Sequence, residues 1–396
     1  MRVVSKKPLF IRIAQPTYGA YLLKHNRVES FGMEQLSTLK PPFLVIGNHA
    51  HTMDSLIVSS ASPVHIRWVA GAYLFKLFGL RPMLERWIGA ISKQQGRSDL
   101  FTIRAIGDAL KQGDIVGLFP EGTRTWDGEP VGFDQAIAKL VRIFKVPIVV
   151  FHLEGFYGLK PRWADKKRKG KVYLRVFPPI MPDHISQMSV QELYAHLLSK
   201  IGFSYRDWQE KNHLPYISKH SAEGAEQVLY LCPQCKQAST IVSKGITLTC
   251  SHCSYSASLD PYDKLHTSVG EHHFDDIAYW HAWEREYIAS DEGSSLVFPP
   301  DKGVLLQTGD TTKLITLERT FTLQMEQAGM RIKSPMGRDQ FFAFTDIQSM
   351  IINAKNTVEL YHNNTLYRIR IFKRGCIIKY VEMYQTKRQS TEGDQA

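Results

Sequence analysis

Two histidines and an aspartate follow a short apolar run in the first part of the chain. Phe43–Gly47 is typical of a buried strand, and the next residues are Asn48-His49-Ala50-His51-Thr52-Met53-Asp54. A histidine can act as a general base when a carboxylate fixes its tautomer and stabilises the imidazolium ion formed on proton transfer. On one regular helix His49 and Asp54 would point roughly 140° apart, so His49 must lie just before the helix begins.

Other interpretations of this segment remain open. His-Ala-His-Thr-Met-Asp is similar to a binuclear-metal His-x-His-x-Asp-His signature, although the aspartate falls one position late and no histidine follows it. His51 could itself pair with Asp54 at the helical i,i+3 spacing. A purely structural role is also open for either histidine.

A second polar segment, Phe119-Pro120-Glu121-Gly122-Thr123-Arg124, also follows a strand-like run. Backbone N–H groups near Gly122 and Thr123, together with the Arg124 guanidinium, could hold a phosphate. Taken alone, the segment is equally compatible with a turn at a strand end.

Four of the five cysteines form two Cys-x-x-Cys pairs, Cys232/Cys235 and Cys250/Cys253. Two such turns can complete a tetrahedral Zn²⁺ site with no open position for catalysis, so we expect one structural zinc in a zinc ribbon. Two disulfides are the alternative, but the sequence shows no export signal. Cys376 stands alone and is expected to be a small core residue.

Alternating strand and helix patterns from residue 40 to about 205 predict an α/β domain. Residues 206–227 have no clear period and are interpreted as a linker. Phe274–Ile288 is expected to be a helix, and several strands closed by a helix over about 376–385 follow residue 295. The expected domains are 1–215 (α/β), 228–262 (zinc ribbon), 263–295 (connecting helix), 296–390 (β-rich, similar to pleckstrin-homology or GRAM modules) and 391–396 (a disordered tail, with disorder beginning near Thr386).

The two polar segments together resemble the glycerolipid acyltransferase family, in particular the 1-acylglycerol-3-phosphate acyltransferases. His49 and Asp54 match its H-x4-D motif, Phe119–Arg124 match FPEGTR, and Val146-Pro147-Ile148-Val149 is similar to its apolar fourth motif. The resemblance covers roughly residues 30–205. It implies a glycerol-3-phosphate acyltransferase-like fold for that region, and it does not extend to the zinc ribbon or the β-rich tail.

The resemblance also implies roles for these residues. His49 would be the base, Asp54 would orient it, and Glu121, Gly122, Thr123 and Arg124 would bind the acceptor. The family's second motif usually has an arginine soon after a short strand, whereas this chain has Ile91-Ser92-Lys93-Gln94-Gln95-Gly96-Arg97. Lys93 or Arg97 would supply that charge, although a lysine lacks the bidentate fork of arginine.

The expected function is therefore acyl transfer from an acyl thioester, acyl-CoA or acyl carrier protein, to a lysophospholipid, most simply 1-acyl-glycerol 3-phosphate giving phosphatidate. Residues 1–215 carry 30 Lys and Arg against 17 Asp and Glu, and the whole chain has a net charge of +11. No apolar run approaches the ~18 residues of a membrane-spanning helix. A cytoplasmic enzyme docked peripherally on the inner face of an anionic membrane is expected.

Two rival functions come from other classes. A zinc ribbon and a basic chain are compatible with nucleic-acid binding, but residues 228–262 contain two lysines and one aspartate rather than a basic stripe, so nucleic acid is not the expected partner. A catalytically silent lipid-binding protein is the other rival, and turnover alone separates it from the enzyme.

Overall fold

The computed structural model describes residues 7–76, 79–93, 100–309, 314–371 and 375–393. The chain divides into two compact units. The first comprises residues 1–162 and 168–216, and the second comprises residues 163–167 and 217–396. Residues 163–167 thus belong to the second unit, although the chain on both sides of them belongs to the first.

The first unit is built on a seven-stranded sheet with the order β1-β7-β6-β2-β5-β3-β4. The strands are β1 (Val28–Phe31), β2 (Phe43–Gly47), β3 (Ile66–Gly71), β4 (Ile91–Lys93), β5 (Ile115–Leu118), β6 (Ile148–Glu154) and β7 (Val172–Val176). Strands β2 to β6 run parallel, and β7 is antiparallel to β6. The carboxyl ends of β2, β3, β4 and β5 therefore meet at one edge of the sheet, where α/β proteins place their ligands.

Helices cover the sheet on both faces. They are α1 (Leu9–Ala14), α2 (Ala20–His25), α3 (Glu34–Thr38), α4 (Asp54–Ala61), α5 (Leu80–Pro82), α6 (Leu100–Lys111), α7 (Ala136–Phe144), α8 (Phe156–Leu159), α9 (Pro182–Gln187), α10 (Val190–Ile201) and α11 (Tyr205–Asn212). Because parallel strands are covered on both faces, alternate residues of β2 enter two different cores. Val45 packs in one apolar cluster and Leu44 and Ile46 in the other.

The expected linker over 206–227 is wrong for its first part. Helix α11 occupies Tyr205–Asn212, and the Ser204 side chain caps it by accepting a hydrogen bond from the Asp207 N–H. Tyr216 is fully buried in the same unit. Hydrophobic periodicity does not predict this helix, because most of its residues are polar and its start is marked by an N-cap serine rather than by an apolar stripe.

The second unit contains two antiparallel sheets. The smaller has the order β11-β10-β9-β8, formed by β8 (Ile241–Lys244), β9 (Thr247–Cys250), β10 (Ser256–Leu259) and β11 (Leu265–Val269). Helix α12 (Ile277–Ala289) follows this sheet. Its N-cap is Asp276, whose side chain accepts a hydrogen bond from the Tyr279 N–H.

The larger sheet has seven strands in the order β15-β14-β13-β12-β18-β17-β16. They are β12 (Asp301–Gly309), β13 (Leu314–Glu326), β14 (Gly329–Lys333), β15 (Asp339–Ala343), β16 (Ile347–Ala354), β17 (Thr357–His362) and β18 (Thr365–Ile371), followed by helix α13 (Ile378–Gly393). This arrangement of seven strands and a closing helix is consistent with the expected pleckstrin-homology-like module. Asn363 and Asn364 form the β17–β18 turn, both with positive φ.

The expected disorder of the last residues, including 391–396, is wrong as far as Gly393, where α13 ends. The segment from Thr386 to Gly393 contains no proline, and its first glycine is the last residue of the helix, so no residue type interrupts the helical backbone. Arg388 also donates a hydrogen bond to the Tyr384 hydroxyl one turn earlier. Residues 394–396 lie outside the described part of the chain.

Within the described ranges, every helix is too short or too polar to cross a lipid bilayer.

Candidate active site

His49 lies where the sequence requires it, between the end of β2 at Gly47 and the start of α4 at Asp54. Its Nδ1 atom is 2.7 Å from the Asp54 Oδ2 atom. Because an ionised carboxylate only accepts hydrogen bonds, this contact places the neutral imidazole's proton on Nδ1 and leaves a lone pair on Nε2. The His49 side chain is 23% exposed and Asp54 is fully buried. A substrate can therefore reach the base while its partner is shielded from water.

Asp54 is fixed by the backbone that precedes it. The same Oδ2 atom accepts hydrogen bonds from the Ala50 N–H and the His51 N–H, each at 2.8 Å. The loop thus closes around the first residue of α4, whose N-terminal position also favours a negative charge. These contacts hold the carboxylate in the orientation that the His49 ring needs.

The ring of His51 has a different environment. Its Nδ1 atom accepts a hydrogen bond from the Met53 N–H at 3.2 Å, and the residue is buried. Asp54 is contacted by the His51 backbone, so the geometry favours His49 over His51 as the base.

The segment Phe119–Arg124, here called the β5 turn, lies beside His49. Glu121 Oε2 accepts a hydrogen bond from the His49 N–H at 3.0 Å. Just beyond the turn, the Thr125 N–H donates to the His49 carbonyl at 3.1 Å. Both backbone groups of His49 are therefore held by the chain that follows β5. Gly122 has φ +66°, a conformation that favours glycine, and it is exposed.

The carboxyl group of Glu121 has a raised pKa. Burial raises its pKa to about 8, and the nearby negative charge of Asp54 adds to this effect. The His49 N–H acts in the opposite direction but does not offset the burial. Glu121 is thus protonated at neutral pH and can donate a hydrogen bond from its carboxyl group.

Two arginines lie at the β5 turn: Arg124 is its last residue, and Arg162 contacts it from a later part of the chain. Arg124 donates from Nη1 to the Thr52 hydroxyl at 3.3 Å, and it forms no ion pair with any described residue. Arg162 is buried and donates from the same Nη1 atom to Thr123 Oγ1 at 2.6 Å and to the Arg124 carbonyl at 2.9 Å. Burial lowers the pKa of both arginines, for Arg162 to about 9 with a contribution from the Arg124 charge. A bound anion would relieve the repulsion between the two cations.

Lys93 ends β4, at the sheet edge where the His49 loop and the β5 turn also begin. The alternative residue, Arg97, lies outside the described residues. The short strand that precedes the basic residue in the family's second motif therefore has a counterpart in β4, with Lys93 as its last residue.

The four paired cysteines come together in the second unit. The Cys232 and Cys253 Sγ atoms are 3.6 Å apart, and those of Cys235 and Cys250 are 3.8 Å apart. All four sulfur atoms lie within 4.8 Å of one another. Zn–S bonds of ~2.3 Å in a tetrahedron place sulfurs about 3.8 Å apart, so this cluster fits a Zn²⁺ ion.

Among the described residues, this cluster is the one group of three or more His, Cys, Asp or Glu side chains arranged to hold a metal. His49, His51 and Asp54, which are all among the described residues, do not form such a group.

Three contributions to the site were not predicted from the sequence. Asn48 exchanges two hydrogen bonds with the Leu153 backbone on β6, which ties the His49 loop to the neighbouring strand. The Phe119 ring lies parallel to the His49 ring with centroids 4.2 Å apart, and Trp68 stacks on the other side of Phe119 at 5.0 Å. The third contribution is Arg162, which donates hydrogen bonds to Thr123 and to the Arg124 carbonyl. The sequence marks only Phe119, through the FPEGTR motif.

Part of the chain is similar in sequence to known proteins. Residues 27–153 match the family model described as Acyltransferase. The 1-acyl-sn-glycerol-3-phosphate acyltransferase alpha of Ovis aries is 26% identical over 159 residues, 38% of this chain and 54% of the relative. The 1-acyl-sn-glycerol-3-phosphate acyltransferase of Helicobacter pylori is 25% identical over 141 residues, 34% of this chain and 60% of the relative.

Two further similarities extend the comparison. The lyso-ornithine lipid O-acyltransferase of Rhizobium meliloti is 34% identical over 87 residues, 22% of this chain and 29% of the relative. The crystal structure of the 1-acyl-sn-glycerophosphate acyltransferase of Thermotoga maritima aligns with a TM-score of 0.43 and 23% identity, covering 51% of this chain and 79% of that chain. The chain spans little more than half the length of the first of these curated relatives.

Residues 27–153 therefore form a domain of the acyltransferase family, and the expected resemblance to glycerolipid acyltransferases is confirmed. Within that class, two of the three curated relatives described above carry the name 1-acyl-sn-glycerol-3-phosphate acyltransferase. The cysteine-bearing sheet and the larger β-sheet lie outside the matched residues.

Proposed function

We propose that this protein transfers a fatty acyl group from an acyl thioester to the free hydroxyl of a lysophospholipid, with 1-acyl-sn-glycerol 3-phosphate as acceptor and phosphatidate as product. The observation that carries the proposal is the 2.7 Å contact between His49 Nδ1 and Asp54 Oδ2 beside the β5 turn. The match to the acyltransferase family supports the reaction type.

The proposed mechanism needs no covalent enzyme intermediate. His49 Nε2 removes the proton of the acceptor hydroxyl while that oxygen attacks the thioester carbonyl carbon. The C–S bond then breaks, and the departing thiolate takes the proton back from the His49 imidazolium. Asp54 holds the imidazole tautomer and stabilises the imidazolium between the two steps.

The β5 turn would bind the acceptor. Arg124 is the proposed phosphate contact, because it is charged and makes no ion pair within the described chain. The exposed backbone at Gly122, the Thr123 hydroxyl and the protonated carboxyl of Glu121 supply further hydrogen-bonding groups. Lys93, at the same edge of the sheet, or Arg97 would add positive charge for the acceptor. The donor is proposed to be acyl-CoA or an acylated acyl carrier protein.

We also propose one structural Zn²⁺ bound by Cys232, Cys235, Cys250 and Cys253. The close approach of the four sulfurs supports this assignment, and four protein ligands leave no coordination position for substrate. Residues 228–262 would then be a zinc ribbon, joined through 263–295 to the β-rich module of residues 296–390.

The proposed location is cytoplasmic and peripheral on the inner face of the membrane. The surplus of positive charge on residues 1–215, 30 basic against 17 acidic side chains, supports attraction to anionic lipid. Exposed apolar side chains on α1 and on the π-helical segment Gln15–Gly19 that follows it, including Leu9, Ile13 and Tyr18, could enter the interface.

The proposed function can be tested by incubating purified protein with a panel of lysophospholipids and both donor types. The products are identified by mass spectrometry. We expect phosphatidate from 1-acyl-glycerol 3-phosphate. Including lyso-ornithine lipid separates the two acceptor types named among the relatives. Absence of acyl transfer from either donor to any acceptor would overturn the proposal.

A further inference from the structure

The segment Trp163–Lys167 belongs to the second unit although the chain on either side belongs to the first. Trp163 is fully buried. Lys355, in the turn between β16 and β17, donates from Nζ to the carbonyls of Trp163 and Ala164 at 2.9 and 2.6 Å, and it lies 3.3 Å from Asp165 Oδ1. One ammonium group thus holds three consecutive residues of the segment.

A second side chain holds the same segment. Gln227 is buried and donates from Nε2 to the Trp163 carbonyl at 3.0 Å. The Asp165 N–H donates to the Glu223 carbonyl at 3.1 Å. The backbone at Trp163 is therefore fixed from two separate parts of the second unit.

Arg162, the residue directly before this segment, belongs to the first unit and contacts the β5 turn. Its guanidinium donates to Thr123 Oγ1 and to the Arg124 carbonyl, and it lies 4.3 Å from the centre of the Trp126 ring. Because the guanidinium fork is planar and rigid, these contacts fix both the direction of the Thr123 hydroxyl and the backbone that carries the Arg124 side chain.

We propose that Lys355 is a positioning residue for acceptor binding. It fixes Trp163–Asp165, and through the peptide bond to Arg162 it sets the guanidinium that holds Thr123 and Arg124. This proposal rests on the proposed function, since it assigns the phosphate-bearing acceptor to the β5 turn. The β-rich module then contributes to the affinity for acceptor from a residue that touches no substrate.

The effect should fall on binding of the acceptor more than on chemistry. The His49 and Asp54 side chains are held by each other and by the Ala50 and His51 N–H groups, so loss of Lys355 should disturb them less than it disturbs Arg124, even though the His49 backbone contacts the chain that follows β5. Arg124 makes no ion pair in the described chain and donates a 3.3 Å hydrogen bond to Thr52, so its position depends strongly on its backbone. Misplacing a group that binds a charged ligand costs about tenfold or more in affinity.

Lys355→Met, Lys355→Arg and Lys333→Met form the test series. Lys333 lies on β14 of the same sheet, with its Nζ 3.7 Å from Asp339, and serves as the matched control. We expect Lys355→Met to raise KM for 1-acyl-glycerol 3-phosphate by about tenfold while kcat stays close to that of the unmodified protein. Lys355→Arg should restore most of the affinity, and Lys333→Met should change neither constant.

Hydrogen exchange provides a readout that does not depend on activity. Peptides covering residues 121–126 should exchange faster in Lys355→Met than in the unmodified protein or in Lys333→Met. If Lys355→Met does not fold, Lys355→Gln, which retains hydrogen-bond donors without the charge, should show the same changes to a smaller extent.

The two proposals fail in different ways. Absence of acyl transfer by the unmodified protein would refute the proposed function, whereas faster exchange at 121–126 would still support positioning through Lys355. Equal exchange and equal KM in Lys355→Met and Lys333→Met would overturn the positioning role even if the protein is an active acyltransferase. A loss confined to kcat would overturn it as well.

Discussion

The backbone N–H of His51 lies 2.8 Å from the Asp54 carboxylate, the same oxygen that the His49 ring contacts at 2.7 Å. The two histidines of the motif thus use one carboxylate in different ways. His49 contributes a titratable ring to the pair, while His51 contributes a main-chain group that every residue except proline has. Substitutions that remove only side chains can therefore separate their roles.

We expect His49→Ala to reduce turnover by about 10²–10⁴-fold without loss of the fold, because it removes the general base. His51→Ala should lower stability, since its buried ring is lost, but folded protein should retain turnover because the N–H to Asp54 remains. Initial rates of product formation, normalised to the folded fraction from urea denaturation, provide the comparison. The base is assigned wrongly if folded His49→Ala stays active while His51→Ala is inactive.

Asp54→Asn should also reduce turnover strongly, because an amide cannot offset the imidazolium charge and can favour the wrong tautomer. Adding this change to His49→Ala should have little further effect on turnover, since the Asp54 carboxylate acts on the reaction through the His49 imidazole. Single and double variants assayed together would show this lack of additivity. A double variant much slower than His49→Ala alone would mean that Asp54 has a separate role.

The raised pKa of Glu121 predicts a specific dependence of stability on pH. Between the ordinary value of 4.5 and about 8, the unfolded carboxyl has lost its proton while the folded one retains it. The folded state then binds more protons, so its free energy of unfolding falls as pH rises through this window. Glu121→Gln should lack this contribution, so its stability relative to the unmodified protein should rise between pH 4.5 and pH 8.

Urea titrations at several pH values across that window provide the measurement. Glu34→Gln, which changes an exposed carboxyl at the start of α3, is the control and should run parallel to the unmodified protein. A stability difference for Glu121→Gln that does not vary with pH would contradict the raised pKa of Glu121.

Freshly purified, reduced protein should contain one zinc per chain. Replacing Cys250 by Ser should remove the metal and lower the unfolding temperature, because coordination energy contributes directly to folding. Cys376→Ser is the matched control, since this buried thiol donates to the Gln227 carbonyl and lies outside the four-cysteine cluster. Elemental analysis that finds neither zinc nor iron, or a Cys250→Ser variant that loses turnover with unchanged stability, would refute a structural metal.

Vesicle binding should require anionic lipid and weaken with salt, because the Debye length falls to ~3 Å at 1 M. Changing both Leu9 and Ile13 to Ser should weaken binding further, since both are exposed on α1. Val297→Ser, which alters an exposed apolar residue of the second unit, is the control. Sedimentation with vesicles of graded anionic content would measure this, and binding indifferent to lipid charge and to salt would exclude the electrostatic contribution.

The sequence was most informative where residues close together in the chain determine the structure. The placement of His49 before α4 follows from helix geometry, and strand β2 has the bounds that its apolar pattern predicts. The turn at Asn363 and Asn364 is likewise local, because asparagine tolerates the positive φ that this hairpin requires.

Contacts between distant parts of the chain could not be derived in this way. The hydrogen bond from the His49 N–H to Glu121 spans 72 residues, and the bond from Arg162 to Thr123 spans 39. No periodicity or spacing distinguishes Arg162 from the other basic residues around it. Helix α11 was missed for a related reason, since Tyr205 and Gln209 are buried by tertiary packing on an otherwise polar segment.

The assignment of residues 163–167 to the second unit has a consequence for synthesis on the ribosome. Trp163 and Lys355 are 192 residues apart in the chain. At translation rates of ~5–20 residues per second, Trp163 is made about 10–40 s before its partner lysine. During that interval the backbone beside Arg162 lacks its contacts with Lys355, although Glu223 and Gln227 have already been made. Under the proposed role of Lys355, the first unit should therefore acquire its full affinity for acceptor only late, after the β-rich module has been synthesised and has folded.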